Sequence, residues 1–578
     1  MSTEISPLDI RELSSLELAF GKMIARRIDK ENERPFELAA GCTLMSYRLG
    51  HACLDLDALP VGTTTVEESE ISLPLSRDQW IAYLRQFNEA IGPDKPLILV
   101  ETPDSTLLYL NKSRQYEKKI AKFIKVGEYR KPATIEPEKV HATSGFFVKP
   151  FAEDAQQQAI HAAVNAKFSI VTGGPGTGKT TVLAVILALE LERNPNLKIT
   201  LCAPTGKAAN RMKEAIVNAV NDTKDNQIKT SDEIKKKLLG YTPSTVHSLL
   251  KLNAETGKPR YNPTNPLKLD LLVIDECSMV SLELLAQLLD ALPKDARVIL
   301  LGDQNQLASI EAGAVLADLC KLKTENLPVT ILLENHRSNK NEPLCEFVTK
   351  IITDPEALEL ESLYKPDAPD EFKAIAIPDA NRKTAAATLK TLLGELLEKL
   401  GLSKWKDVET IEDAFALAES FKILCATRDG VFGVENMNKL MCELLNMKDV
   451  DKTDGVPVIV TKNDYAIGLR NGDIGIVFDG KIHFPDEEKG KYRSFTPSSL
   501  PPHECAFAMT IHKSQGSDYD NVLMVLPNQD NPVLTRELIY TGITRTKKTC
   551  VVFGKQDILE LAIKRKNQRW SGFDTALE

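Results

Sequence analysis

The segment Ile170–Val182, "IVTGGPGTGKTTV", decides the fold: an apolar run enters a glycine-rich turn and leaves it as a helix. Gly173, Gly178, Lys179 and Thr180 fit the pattern G-x-x-x-x-G-K-[ST], with Gly174, Pro175, Gly176 and Thr177 between them and Thr181 after. Glycines in such a turn free backbone N–H groups to face phosphate oxygens. A helix beginning near Lys179 adds the positive end of its dipole to the same anion site. Lys179 is expected to reach the β and γ phosphates, and the Thr180 hydroxyl to bind Mg²⁺. The turn therefore predicts a nucleoside triphosphate site.

Outward from it, short apolar strands alternate with helices from about 150 to 344: "KFSIVT" (167–172), "KITLCAPT" (198–205), "LDLLVIDE" (269–276), "ARVILLGD" (296–303) and "VTILLEN" (329–335). That order predicts an α/β domain whose parallel sheet is covered by helices on both faces. A small insertion is expected around 220–265. Residues 345–578 repeat the type with "FKILCATRD" (421–429), "NVLMVLP" (521–527) and "CVVFGK" (550–555). Within them, 453–505 carries short β runs and an "NGD" turn, read as a small inserted β-barrel. Residues 1–110 show helical apolar spacing in "ELSSLELAFGKMIARRI" (12–28) and "DQWIAYLRQF" (78–87), which predicts a helical domain. Residues 111–149, rich in charge and proline, read as a linker.

At 578 residues the chain is too long for one core. Its 43% hydrophobic and 26% charged content are those of a soluble globular protein. No basic n-region with an apolar run opens the sequence and no long uncharged apolar stretch follows, so a cytoplasmic protein is expected. The ten cysteines stand singly with no C-x-x-C pair, which argues for reduced thiols and against a zinc or iron–sulfur site. The net charge of -9 disfavours loose coating of nucleic acid, so any DNA must be gripped in a defined channel.

"LLVIDECSMV" places Asp275 and Glu276 at a strand end, where open α/β sheets hold ligands. Asp275 is expected to hold Mg²⁺ and Glu276 to orient or deprotonate the attacking water. Gln306, in "LLGDQNQLASIEAGAV", could sense the γ-phosphate. Charge on the transferred phosphoryl group calls for arginine, and Arg337 in "LLENHRSNK" and Arg545 in "ELIYTGITRTKK" are the candidates.

The ordered blocks "GGPGTGKT", "APTGKAANRM", "TVHSLL", "LLVIDECSMV", "LGDQNQLASIEAGAV", "ENHR", "AFAMTIHKSQGSDYDNV" and "LIYTGITRTKK" resemble the motor motifs of superfamily 1B DNA helicases. Within that group they look most like the RecD family, the alpha subunits of exodeoxyribonuclease V. "RLGHACLDLDAL" (48–59) and "LLYLNKSRQYEKKIAKF" (107–123) are similar to that family's amino-terminal domain.

The resemblance implies two RecA-like motor domains with ATP in the cleft between them, and an inserted domain of SH3-like type. It implies that Arg337 and Arg545 close over the γ-phosphate and that Gln156 reads adenine, although Gln157 and Gln158 beside it leave the register open. It pairs Asp303 with Gln306 in one motif, and makes Gln515 and Gly516 the link between nucleotide and DNA grip. Thr205, Lys207, His247, Thr510, His512 and Ser514 are implied contacts to single-stranded DNA; for His247 an interior histidine is the alternative. Asn463, Asp464, Asn471 and Asp473 match a motif of the inserted domain or form only a hairpin turn. "NHRS" and "TGITRTKK" depart from the family in neighbouring residues without removing an expected charge.

The implied activity is an ATP-driven motor moving 5′ to 3′ on single-stranded DNA, with duplex DNA ends as substrate. RecB-like and RecC-like partners are implied, docked partly through residues 1–110, with the nuclease on a partner. A stand-alone RecD-like helicase and an ATP-dependent switch without motion of its own are the alternatives.

Overall fold

The computed structural model describes residues 8–577 apart from 10–11, 31–32, 67–68, 103–104, 126–132, 146, 148, 222–227, 254, 323, 335–341, 378–381, 448, 465 and 487–489. Six parallel strands form the first motor sheet, in the order Val329–Leu332, Phe168–Gly173, Arg297–Gly302, Leu271–Ile274, Ile199–Ala203, Ser244–Thr245. Every residue of Phe168–Gly173, Leu271–Ile274 and Arg297–Gly302 is buried, as strands covered on both faces require. The helix Lys179–Arg193 runs straight from the glycine turn into this core and buries every residue from Val182 to Leu191. Parallel pairing brings the carboxyl ends at Gly173, Ile274 and Gly302 to one edge, where their loops meet.

The second motor sheet is also parallel, in the order Phe372–Ile375, Thr546–Phe553, Tyr519–Val525, Phe421–Cys425, Ala508–Thr510. The inserted segment forms a five-stranded antiparallel sheet, Tyr492–Phe495, Lys481–Pro485, Ile474–Phe478, Pro457–Val460, His503–Cys505. Its two outer strands do not pair with each other among the described residues, so hydrogen bonds do not close the expected barrel.

Four features of the domain organisation differ from expectation. The amino-terminal domain is mixed, not helical. The helices Ser15–Arg27, Arg34–Arg48 and Arg77–Leu84 pack with an antiparallel sheet of Leu54–Asp55, Thr106–Leu110 and Leu97–Glu101, and with the hairpin Thr63–Val66/Ser69–Ser72. "LILVE" and "TLLYL" are continuous apolar runs of five residues, too short for periodicity to separate strand from helix.

Residues 111–149 are not a plain linker. The helix Asn111–Lys125 buries Tyr116, Ile120, Ala121 and Ile124 and packs on the helices Leu282–Asp290 and Phe573–Leu577. Nor does 220–265 leave the first domain as a whole, because Ser244–Thr245 is an edge strand paired to Cys202 and Ala203.

The second motor domain does not keep residues 569–577. Arg569 donates to the carbonyls of Glu311 (2.9 Å) and Gly313 (3.0 Å), and Trp570 stacks on His51 with ring centroids 4.0 Å apart. Arg114, paired with Glu117 at 3.0 Å, donates to the Gly572 carbonyl, and Glu117 accepts from the Gly572 N–H. This strap ties the amino-terminal domain to the motor. Among the described residues no helix is long and apolar enough to cross a membrane.

Candidate ATP site and strand interface

The phosphate loop has the backbone its glycines permit. Gly176 and Gly178 sit at φ +84° and +83°, conformations that residues with a Cβ rarely adopt. A Cβ on Gly173 would stand 2.7 Å from the Leu332 carbonyl and the Thr177 hydroxyl. Thr177 Oγ1 donates to the Gly174 carbonyl at 2.8 Å, which braces the loop from inside. Lys179 Nζ donates to the carbonyls of Gly173 and Gly174, the latter at 2.9 Å, and so lies along the loop where phosphates would pass. Thr180 and Thr181, half-buried, occupy the first turn of the helix that Lys179 opens. Pro175 sits half-buried at the loop's crest.

The three neighbouring glutamines bond different partners. Gln156 Nε2 donates to the Thr177 carbonyl at 3.0 Å and fills the space beside Gly178. Gln157 is buried and bonded to the Lys149 carbonyl (2.9 Å) and to Asp154, which caps the helix Ala155–Asn165; it is structural. Gln158 bonds the carbonyls of Phe151 and Ala152.

Asp275 and Glu276 follow the strand Leu271–Ile274 directly. Asp275 Oδ1 accepts the Glu276 N–H at 2.8 Å. Burial, and then the Glu276 charge, push the Asp275 carboxyl up to about 6, against the pull of the Lys179 ammonium. Glu276 stands at φ +50°, an unusual conformation for a non-glycine residue and a place where backbone strain is held by its surroundings.

Asp303 and Gln306 are buried behind these, with Gln306 Nε2 donating to Asp303 Oδ2 at 3.1 Å. Gln306 Oε1 is buried with no hydrogen-bond partner among the described residues. Residues of the second motor domain reach the same segment. Gln515 Nε2 donates to the Leu307 carbonyl at 2.8 Å, the Leu307 N–H donates to Thr541 Oγ1 at 2.9 Å, and the Tyr540 hydroxyl donates to Asp303 Oδ2 at 2.9 Å. Gly516, at φ +69°, makes the turn after Gln515.

Arg545 departs from expectation. Its side chain is 2% exposed and bonded within its own domain, to the carbonyls of Thr541 (3.1 Å) and Ser517 (3.2 Å) and to Asp518 Oδ1 (3.8 Å). In this conformation the guanidinium is held inside its own domain by two carbonyls and the Thr544 hydroxyl, with the Asp518 carboxylate beside it. Arg337 lies outside the described residues.

The expected strand contacts divide. His247 is exposed on the helix Val246–Leu250, so the interior alternative falls, and His512 and Thr510 are half-buried. Thr205 Oγ1 accepts the Ala208 N–H at 3.2 Å and caps the helix Gly206–Asn221. Lys207 is turned inward, with its ammonium 5.6 Å from the Tyr519 ring of the second domain. Burial pushes it down to about 8. Ser514 is fully buried and donates to the Ile511 carbonyl at 2.7 Å, so its side chain is spent on the turn His512–Ser514.

In the insert, Asn463 Oδ1 accepts the Asn471 N–H, Asp473 Oδ2 the Arg470 N–H and Asp464 Oδ1 the Ala466 N–H, which is turn chemistry. Sequence reasoning missed Arg470, whose guanidinium bonds Thr245 Oγ1 and Ser248 Oγ at 2.9 Å each and so ties the insert to the first domain beside His247. It also missed Arg211 and Asp518, a 3.3 Å ion pair between the motor domains. Their only signal was position inside the two quoted motifs.

Three stretches of the chain match known protein families. Residues 10–106 match the RecBCD enzyme subunit RecD, N-terminal domain; 156–312 match an AAA domain; and 505–553 match the UvrD-like helicase C-terminal domain. A RecBCD enzyme subunit RecD from Haemophilus influenzae is 36% identical over 529 residues, 82% of this chain and 80% of that protein. The chain belongs to the RecD family.

A second RecD subunit, from Mycolicibacterium smegmatis, is 32% identical across 94% of this chain and 93% of its own. The ATP-dependent RecD2 DNA helicase of Deinococcus radiodurans is 27% identical across 82% of this chain but only 59% of its own. A solved Pif1 helicase from Bacteroides with ADP-AlF3 and single-stranded DNA has 18% identity and a TM-score of 0.38, covering 72% of this chain and 92% of that one. As a RecD-family member the chain is an ATP-dependent DNA helicase built on two parallel-sheet motor domains.

Proposed function

We propose that this RecD-family helicase moves 5′ to 3′ along single-stranded DNA, hydrolysing one nucleotide between its motor domains at each closure. The observation that carries the reading is the set of bonds from Gln515, Tyr540 and Thr541 of the second domain to Asp303 and Leu307 of the first, beside the phosphate loop. A change at the nucleotide thus displaces the second domain directly.

Lys179 neutralises the β and γ phosphates, Gln156 selects adenine, and Glu276 takes a proton from the attacking water. Asp275 and Thr180 would hold Mg²⁺. The buried carboxyl of Asp275, pushed up by a second acid and countered by one lysine, suits a site that gains from a further cation. Mg²⁺ would supply charge neutralisation at the phosphates. Arg545 joins them when the cleft tightens and its hold on Asp518 is exchanged. His247, Thr510 and His512 line the strand path with donors for phosphate and sugar, which position DNA without reading sequence.

The partners we propose are RecB-like and RecC-like subunits, docked partly through residues 1–110, for recombinational double-strand break repair and degradation of linear DNA in the cytoplasm, at the nucleoid when bound. The match of residues 10–106 and the higher identity to the Haemophilus RecD subunit, 36% against 27% for the RecD2 helicase, support this over a stand-alone helicase. ATP hydrolysis with and without single-stranded DNA, in parallel with unwinding of duplexes carrying 5′ or 3′ tails, tests the reading. Stimulated turnover with preference for a 5′ tail is expected; stimulated turnover with a 3′ preference would overturn the polarity, and binding without stimulation in the assembled complex would overturn the motor.

A further inference from the structure

Tyr540 lies on the helix Arg536–Ile543 of the second motor domain and is 1% exposed. Its hydroxyl crosses to the first domain and donates to Asp303 Oδ2, the same oxygen that accepts from Gln306 Nε2. A carboxylate only accepts, so the Gln306 amide must turn its nitrogen to Asp303 and its oxygen away. That oxygen is buried and, among the described residues, without a partner, an acceptor available to a water proton and unsuited to a phosphate oxygen. Burial and the Asp303 charge hold the Tyr540 hydroxyl well above its ordinary titration range, so it stays a donor.

The same hydroxyl lies close over the phosphate loop. A Cβ built on Gly174 would lie 2.8 Å from it and meet no other group of the described residues within 4 Å. Gly174 fills a free position of the loop pattern and has no left-handed φ, so the loop's own backbone does not demand glycine there. The approach of Tyr540 does.

We propose that Tyr540 is a positioning residue for ATP hydrolysis, through which the second motor domain sets Asp303 and Gln306 against the phosphate loop. This deepens the function proposed above and rests on it. Closure of the domains moves Tyr540, and the amide of Gln306 follows through Asp303; hydrolysis is thereby conditional on closure.

Tyr540→Phe deletes only the hydroxyl. It is expected to lower kcat for DNA-stimulated hydrolysis about tenfold, the worth of roughly one hydrogen bond to a charged group, with KM for ATP within about twofold. Gly174→Ala puts a methyl against the hydroxyl and is expected to slow turnover; adding Tyr540→Phe removes that clash, so the double variant is no slower than Tyr540→Phe alone. Gln306→Ala with Tyr540→Phe is likewise expected to be no slower than Gln306→Ala.

Independent, multiplying effects in both pairs would overturn the proposal, as would a change in KM alone. Because each pair is judged by its ratio below the lowest melting temperature of the set, a loss of stability in one variant does not decide the result. A wild-type chain in its complex that shows no DNA-stimulated hydrolysis overturns the function itself. Stimulated wild type with an indifferent Tyr540→Phe overturns only the role of Tyr540.

Discussion

Lys179 holds the carbonyls of Gly173 and Gly174 with its ammonium, and a glutamine amide keeps a hydrogen-bond donor on the helix's first residue without the charge. Lys179→Gln is therefore expected to fold as wild type, by melting temperature, and to lose at least about a hundredfold in kcat, the scale seen when a transition-state donor is removed. That residue was legible because its chemistry is encoded within eight consecutive positions. Lys207 and Ser514 were not, since burial is settled by what packs on them from elsewhere in the chain. Lys207 and the buried Lys422 face the Tyr519 ring at 5.6 Å and 5.3 Å, and Lys422 also donates to the Ala506 carbonyl.

Burial, and then Lys207, push Lys422 down to about 7 from its ordinary 10.5. Between those values the unfolded chain holds a proton that the folded one has released, so stability increases as pH rises through that window and is lower below it. The melting temperature should climb between about pH 7 and pH 10. Lys422→Met is expected to flatten that climb, and an unchanged slope would place the effect elsewhere.

Among the elements, the parallel strands of both motor sheets were read from their apolar runs, because burial on both faces leaves nearly uninterrupted hydrophobic stretches between turn residues. The helix Asn111–Lys125 was hidden by its own surface. Its sequence "NKSRQYEKKIAKFIK" carries seven charges, most of them outward, around a stripe of Tyr116, Ile120 and Ile124. Charge made the segment look like a linker although the spacing was helical.

Its one internal ion pair, Arg114 to Glu117, is 4% and 0% exposed and completed by Gly572. Arg114→Ala leaves Glu117 buried without its counter-ion and is expected to cost about 3–5 kcal/mol. Denaturant titration should show the loss as a lower unfolding midpoint than that of the wild type.

For the molecule as a whole, Asp518 stands where the motor domains meet, with Arg211 of the first domain at 3.3 Å and Arg545 of its own at 3.8 Å. Asp518→Asn is expected to loosen the hold on Arg545 and raise DNA-free ATP hydrolysis roughly fivefold, equivalent to about 1 kcal/mol. A drop in turnover with and without DNA would show instead that Asp518 aids Arg545 during catalysis. No single sequence could reveal this arrangement, because Arg211 and Asp518 meet only through the packing of two domains.

The strap at 569–577 has a bearing on how the molecule is made. Arg114 and the Gly572 carbonyl it holds are 458 positions apart. Chains fold domain by domain as they leave the ribosome, from the amino terminus. The amino-terminal sheet and its charged pair must therefore wait, unclasped, through the synthesis of both motor domains, and their final closure marks a chain whose motor is already present.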